Sequence, residues 1–157
     1  MSYIRGASQS NMQVVTNSTG YSTQTMSVTL TAVSGTEVTY TPSSNSLGVT
    51  YECNYTIHWD PDGYGSYHCI RLQESNDDGS TWSTVTGSEV LEGTWGETDY
   101  DTFIMHFAHR LEPWSGSKKL RLAARAYSAA AEYTIGKCLT AGDQTIKSLP
   151  QVLIYEV

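Results

Sequence analysis

From residue 51 to residue 59, apolar and polar side chains change places at every step. Tyr51, Cys53, Tyr55, Ile57 and Trp59 alternate with Glu52, Asn54, Thr56 and His58. A two-residue period puts one set on each face of a pleated strand, so the run predicts a half-buried β-strand. It stops at Asp60-Pro61-Asp62-Gly63, where proline fixes φ and glycine accepts a positive one.

The same reading predicts further strands. Met26, Val28, Leu30 and Ala32 alternate with hydroxyl residues, and a short strand follows at 38–40. Residues 67–73 return from the turn with Ile70 and Leu72 in one phase and Tyr67 and Cys69 in the other, which implies a bulge or burial on both faces. Phe103, Met105, Phe107, His109 and Leu111 form one more alternating run. Leu120, Leu122, Ala124 and Ala126 form the next, with Lys119, Arg121 and Arg125 on its opposite face. Residues 133–135 and 151–157 complete the set. The alanine-rich stretch 127–133 is too short for an independent helix. Roughly eight to ten strands separated by turn signals, with no interleaved helical period, define an all-β chain: an antiparallel β-sandwich, most simply a jelly roll.

Residues 1–25 are rich in Ser, Asn, Thr, Gln and Gly and hold no sustained period. They read as an extended N-terminal arm, ordered by a neighbour if at all, ahead of a sandwich domain over 26–157. At the other end Val152, Leu153, Ile154, Tyr155 and Val157 are apolar in both phases. A strand of that kind belongs in the middle of a sheet or at a subunit contact, which makes these five residues candidates for assembly.

Composition narrows the function. Only 16% of the 157 residues are charged, and 16 acidic against 9 basic residues leave a net charge of −7. Nucleic-acid binding needs a basic footprint, so an acidic chain argues against that partner. No stretch has the apolar length of a membrane span or of a signal peptide, so no membrane partner is expected. Three unevenly spaced cysteines, Cys53, Cys69 and Cys138, make a poor disulfide framework and a poor zinc site, as in a protein made in a cytoplasm, and Cys53 and Cys69, set in alternating apolar runs, read as buried thiols.

Catalytic chemistry is weakly represented. His58 and His68 flank the 60–63 turn and could be cross-strand neighbours, with Asp60 or Asp62 nearby, but that is an incomplete metal site. His106 and His109 differ by three and fall on opposite strand faces. The acidic stretch from Glu89 to Asp101 reads as a solvated loop rather than a converging carboxylate pair. Neither a nucleophile elbow nor a phosphate loop is present. The expectation is a protein that is not an enzyme and carries no cofactor.

The most specific motif is Ser75-x-Asp77-x-Gly79-x-Thr81-Trp82, which resembles the Asp-box of sialidase-type propellers. Asp77 can accept turn amides, Gly79 supplies positive φ, and Trp82 can pack beneath the loop, so the motif is a structural hairpin turn. A propeller needs several such blades. This chain has one copy. The surrounding segments 51–57, 68–75 and 78–82, together with Leu120-Arg121-Leu122, resemble tailed-bacteriophage virion proteins, jelly rolls similar to tumour-necrosis-factor-like trimers. What that resemblance implies is a homotrimer on a particle surface, a capsid decoration or a fibre or adaptor protein, whose other partners are capsid or tail proteins and whose location is the virion. Trp59, Tyr64, Tyr67, Trp95, Tyr100 and Trp114 lie in or beside predicted loops. Exposed aromatics there can stack on sugars, so a lectin-like module, or a fibre tip binding a host surface glycan, is the alternative.

Overall fold

The structure, a computed structural model, describes residues 12–15, 23–60, 66–94, 101–127, 132–139, 145–147 and 149–157. Within them the strands are β1 (Gln13–Val15), β2 (Gln24–Thr25), β3 (Thr31–Ala32), β4 (Val38–Tyr40), β5 (Val49–Asp60), β6 (Ser66–Ser75) and β7 (Ser83–Thr84). They continue with β8 (Val90–Thr94), β9 (Asp101–Leu111), β10 (Lys118–Ala126), β11 (Glu132–Ile135), β12 (Lys137–Leu139), β13 (Thr145–Lys147) and β14 (Gln151–Glu156). No helix occurs among the described residues.

Two antiparallel sheets pack face to face. The first runs β1-β14-β5-β9, with β11 taking over from β14 along the far part of β5 and β2 beyond it. The second runs from an edge shared by β3 and β4, through β10 and β6, to an edge shared by β7 and β8. Strands consecutive in the chain mostly change sheet, and the first and last described strands pair. That crossing order is a jelly-roll sandwich.

The alternating run seen in the sequence becomes β5, whose inward residues Tyr51, Cys53, Tyr55 and Ile57 are all buried. They meet Ile70 and Leu72 of β6, Leu120, Leu122 and Ala124 of β10, and Phe107 of β9, whose ring stands edge-on to Tyr51 at 6.3 Å. Burying each large aliphatic side chain contributes about 1.5–3 kcal/mol. Val152 and Ile154 of β14 are fully buried in this same core. β6 is buried in both phases around its middle, with Cys69 at 2% and Ile70 at 1% exposure, which accounts for its mixed period.

Three expectations change. The run at 26–32 is not one strand: Ser27 Oγ donates to Thr29 O, the Thr29 N–H donates to Ser27 Oγ, and Thr31 Oγ1 donates to Thr29 O. Such local bonds compete with a ladder, leaving only β2 and β3 at its ends. The segment 90–94, expected as loop, is the exposed edge strand β8 paired with β6. The described parts of the 1–25 segment, β1 and β2, pair with β14 and β11 of their own chain, and the remainder lies outside the described residues.

Candidate assembly and binding surfaces

Because β1, β14, β5 and β9 are in register, their outward residues form cross-strand rows. One row is Val14, Leu153, Glu52 and Ala108. On one side of it lie Tyr155, Thr50 and Arg110. On the other lie Gln151, Asn54 and His106, then Thr56 and Ile104. Ile104 is 81% exposed and Val14 62%. Glu52 and Arg110 are the only formal charges in these rows, and both are engaged. The Tyr155 hydroxyl donates to Glu52 Oε1 at 2.6 Å, and Arg110 donates to Leu47 O at 3.2 Å. His106 Nδ1 and Asn54 Oδ1 are 2.9 Å apart. The result is a pleated face, poor in free charge, that leaves large aliphatic groups in solvent. Farther along, β12 lies against β5 and β9, and the outward-facing Thr56 and His58 there are buried.

The assembly residues anticipated from sequence divide accordingly. Val152 and Ile154 are corrected to core residues, because alternation turns them inward. Leu153 and Tyr155 face outward and are half-buried, and Val157 is exposed at the strand end. Ile104, Val14 and Ala108 were not anticipated. Ile104 could have been found, since it is the large aliphatic residue in the polar phase of the 103–111 run.

The Asp-box turn uses every residue of its motif. Ser75 Oγ donates to Asp77 Oδ1 at 2.7 Å and accepts the Gly79 N–H at 2.8 Å. Asp77 accepts the Thr81 N–H at 2.9 Å on Oδ1 and the Thr81 hydroxyl at 2.6 Å on Oδ2. Asp78 and Gly79 adopt φ of 59° and 90°. Trp82 Nε1 donates to Gly79 O at 2.9 Å, and the Arg121 guanidinium stacks on its ring at 3.7 Å. Hydrogen bonds from Thr81 first and Ser75 next hold the Asp77 carboxyl down at about 2. Nothing here is presented to a substrate: the side chains close on their own loop.

The two histidines are not a pair. β5 and β6 belong to different sheets, so these two strands do not pair as a hairpin. His58 Nδ1 lies 3.2 Å from Thr102 Oγ1 on the outer face of its sheet. His68 points into the core against Tyr133, ring centroids 5.1 Å apart, and burial pushes its pKa down to about 4. No group of ligating side chains with metal geometry occurs among the described residues. Cys53 and Cys69 are buried free thiols, Cys53 pushed up to about 12 by burial.

Of the loop aromatics, Tyr64, Trp95 and Tyr100 lie outside the described residues, as does the side chain of Trp59. Tyr67 packs edge-on to Tyr127 at 6.2 Å, and a Cβ at Gly93 would come within 2.5 Å of its ring. Trp114 stands edge-on to Tyr40 at 6.3 Å with the Lys118 ammonium 5.2 Å from its centre. Lys118 and Tyr67 sit at opposite ends of the paired β10 and β6, so these two aromatics do not share one binding end. Beside Trp114 is a groove of about 470 Å³ lined by Pro42, Ser43, Ser46, Pro113 and Ser115.

No protein-family profile matches this sequence, and neither does any curated protein sequence. Among solved structures, the chain is similar to the Eiger TNF of S. frugiperda at 11% identity, over 82% of this chain and 89% of that one, with a TM-score of 0.38. The jelly-roll assignment therefore rests on strand order and register. Among the described residues, no helix is long and apolar enough to cross a membrane.

Proposed function

We propose that this chain is a bacteriophage virion structural protein, a homotrimeric capsid decoration or fibre-type protein. In this reading it is made in the host cytoplasm and works by assembling on the particle rather than by catalysis. The observation that carries the assembly reading is the outer face of the β1-β14-β5-β9 sheet. Protein contacts are depleted of free charge at their centre and rich in large apolar groups; this face leaves Ile104 and Val14 in solvent, with Leu153 and Ala108 in the row of Val14 and the Glu52 carboxylate between them bonded by Tyr155. Three copies of this face turned towards one threefold axis cover these groups together, each face meeting a different part of its neighbour. The virion setting is supported by the sequence resemblance alone, and capsid or tail proteins are the further partners it names.

Light scattering of the purified chain tests this. The expected mass is about three times 17.3 kDa, falling to that of one chain in Ile104→Lys, with the strand signature in circular dichroism unchanged. A wild-type chain that stays monomeric at high concentration sinks the trimer.

The groove beside Trp114 favours a second reading, a lectin-like module for a host surface glycan. An aromatic ring edged by serine hydroxyls suits a sugar. Titration of oligosaccharides against Trp114→Ala decides it: saturable binding lost in that variant supports the lectin.

A further inference from the structure

The opposite sheet carries a different chemistry on its outer face. There β10 presents Lys119, Arg121, Ala123 and Arg125, and these pair in register with Ser75, Gln73, Arg71 and Cys69 of β6. Arg71 therefore stands across from Ala123, with Arg121 and Arg125 on either side of it. Four of the chain's nine Lys and Arg residues emerge from this one face, in a protein whose net charge is −7. The floor is closed: Ala123 is 0% and Cys69 2% exposed.

The cations are unevenly matched. Arg71 pairs with Glu89 at 2.7 Å, and Lys119 with Asp78 at 3.0 Å and Glu37 at 3.3 Å. Arg121 donates from Nε to Gln73 Oε1 at 3.0 Å and lies on the Trp82 ring, so its guanidinium is held in place without a carboxylate. Arg125 likewise has no ion pair among the described residues. Arg71 Nε is a buried donor without a hydrogen-bond partner. Two guanidiniums without a direct ion pair, on which Glu37 and Glu89 act only from farther away, and one donor without a hydrogen-bond partner flank Ala123.

We propose that this face of β10 and β6 is the docking site for an extended acidic segment of a partner protein, with carboxylates at alternate residues. The spacing argues for that occupant. Cations at alternate positions of a strand recur every ~6.7 Å, and Arg121 and Arg125 are about 13 Å apart, which is the spacing of side chains on one face of any extended peptide. Each guanidinium can take one carboxylate in its planar fork. The carboxylates of Glu37, Asp78 and Glu89 at the rim oppose a uniform polyanion, such as nucleic acid or a sulfated glycan. They admit a peptide whose charges are discrete. A sugar also lacks a platform here, because Arg121 already covers a face of Trp82. The site lies on the sheet opposite the assembly face and does not depend on the oligomeric state.

Fluorescence anisotropy with a labelled peptide of alternating Asp and Thr tests it, alongside a peptide of the same composition with all Asp in one block, and heparin. The alternating peptide is expected to bind saturably and more tightly than the other two. Arg125→Gln, which leaves the Trp82 stack untouched, weakens it at least about tenfold, and the pair Arg121→Gln with Arg125→Gln weakens it further. Arg110→Gln, on the other sheet, leaves it unchanged. In the pair Arg121→Glu with Arg125→Glu, binding moves to an alternating Lys-Thr peptide. The thermal midpoint of each variant is measured first, and only folded variants are compared. Heparin binding as tightly as the alternating peptide overturns the proposal in favour of a polyanion. No saturable peptide binding, or binding indifferent to Arg125→Gln, overturns it outright.

Discussion

The Tyr51 hydroxyl donates a 2.7 Å hydrogen bond to the carbonyl of Thr36, and both residues are completely buried. Tyr51 belongs to one sheet, and Thr36 lies in the turn leading to an edge strand of the other. Thr36 is itself fully used: its hydroxyl donates to Val33 O at 2.7 Å and accepts the Leu122 N–H at 3.1 Å. A tyrosine can sit at the centre of an apolar core because its one polar atom has a partner there. Burial keeps that hydroxyl neutral, its pKa well above the ordinary value.

Tyr51→Phe preserves the ring and its contact with Phe107 but removes the donor to Thr36. Stability is expected to fall by about 1–3 kcal/mol, the usual effect of orphaning a buried polar group. Thr36→Val keeps the backbone carbonyl that accepts from Tyr51 but strands the buried Leu122 N–H, at a similar cost. Urea denaturation measures both, and an unchanged midpoint for Tyr51→Phe would show that the sheets are joined here by apolar packing alone.

The Asp-box turn gives an acid-side prediction. The Asp77 carboxyl is held at about 2, below its ordinary 3.8, so it contributes stability above the ordinary value that is lost as pH falls from about 3.8 towards about 2. Asp77→Asn flattens this part of the stability profile. Trp82→Ala lowers stability through lost packing with Arg121 and Gly79, by somewhat less than the ~3–5 kcal/mol of a fully buried ring, and the melting temperature falls with it. Abolished glycan binding with an unchanged melting temperature would instead make Trp82 a ligand residue.

His68 adds a second acid-side decline at higher pH. Its folded pKa, about 4 against an ordinary 6.5, means that the unfolded chain binds the extra proton between those values. Stability is therefore complete above pH 6.5 and declines as pH falls towards 4, by about 3 kcal/mol over the full shift. His68→Phe keeps a ring against Tyr133 and removes that decline. A wild-type melting temperature that is level from pH 6.5 to pH 4.5 rules the effect out.

The core was legible where one residue type alternated with another, because period 2 records which face is buried: β5, β9 and β10 follow directly from 51–59, 103–111 and 118–126. The Asp-box turn was equally legible, since each of its side chains bonds within eight residues of sequence. What alternation does not record is the partner strand. His58 and His68 flank one turn yet belong to different sheets, and no local signal distinguishes a hairpin from a crossover there. Edge strands were hidden for a related reason. β8 is exposed in both phases, so its ladder with β6 leaves no alternating pattern. The outer face around Ile104 needed the register of β1, β14, β5 and β9 together, which only the folded chain supplies.

β1 closes one edge of its sheet. Its residues pair with β14 through Gln13 with Ile154, Val14 with Leu153 and Val15 with Val152, so it occupies the edge that β14 would otherwise present. An uncovered edge strand exposes unpaired N–H and C=O groups and templates pairing with other chains. The buried core cluster draws on β4, β5, β6, β9, β10, β11 and β14 and includes no described residue of β1. A chain lacking residues 1–15 is therefore expected to fold, with strand circular dichroism retained. It should melt at a lower temperature and form large aggregates on standing, because β14 and Leu153 are uncovered together. If this segment instead reaches a neighbouring copy on the particle, limited proteolysis distinguishes the cases: residues 1–25 are cleaved in the free protein and protected once it is added to bare capsids. A truncated chain as stable and as soluble as the full one would show that β1 contributes neither the edge cover nor a part of the assembly face.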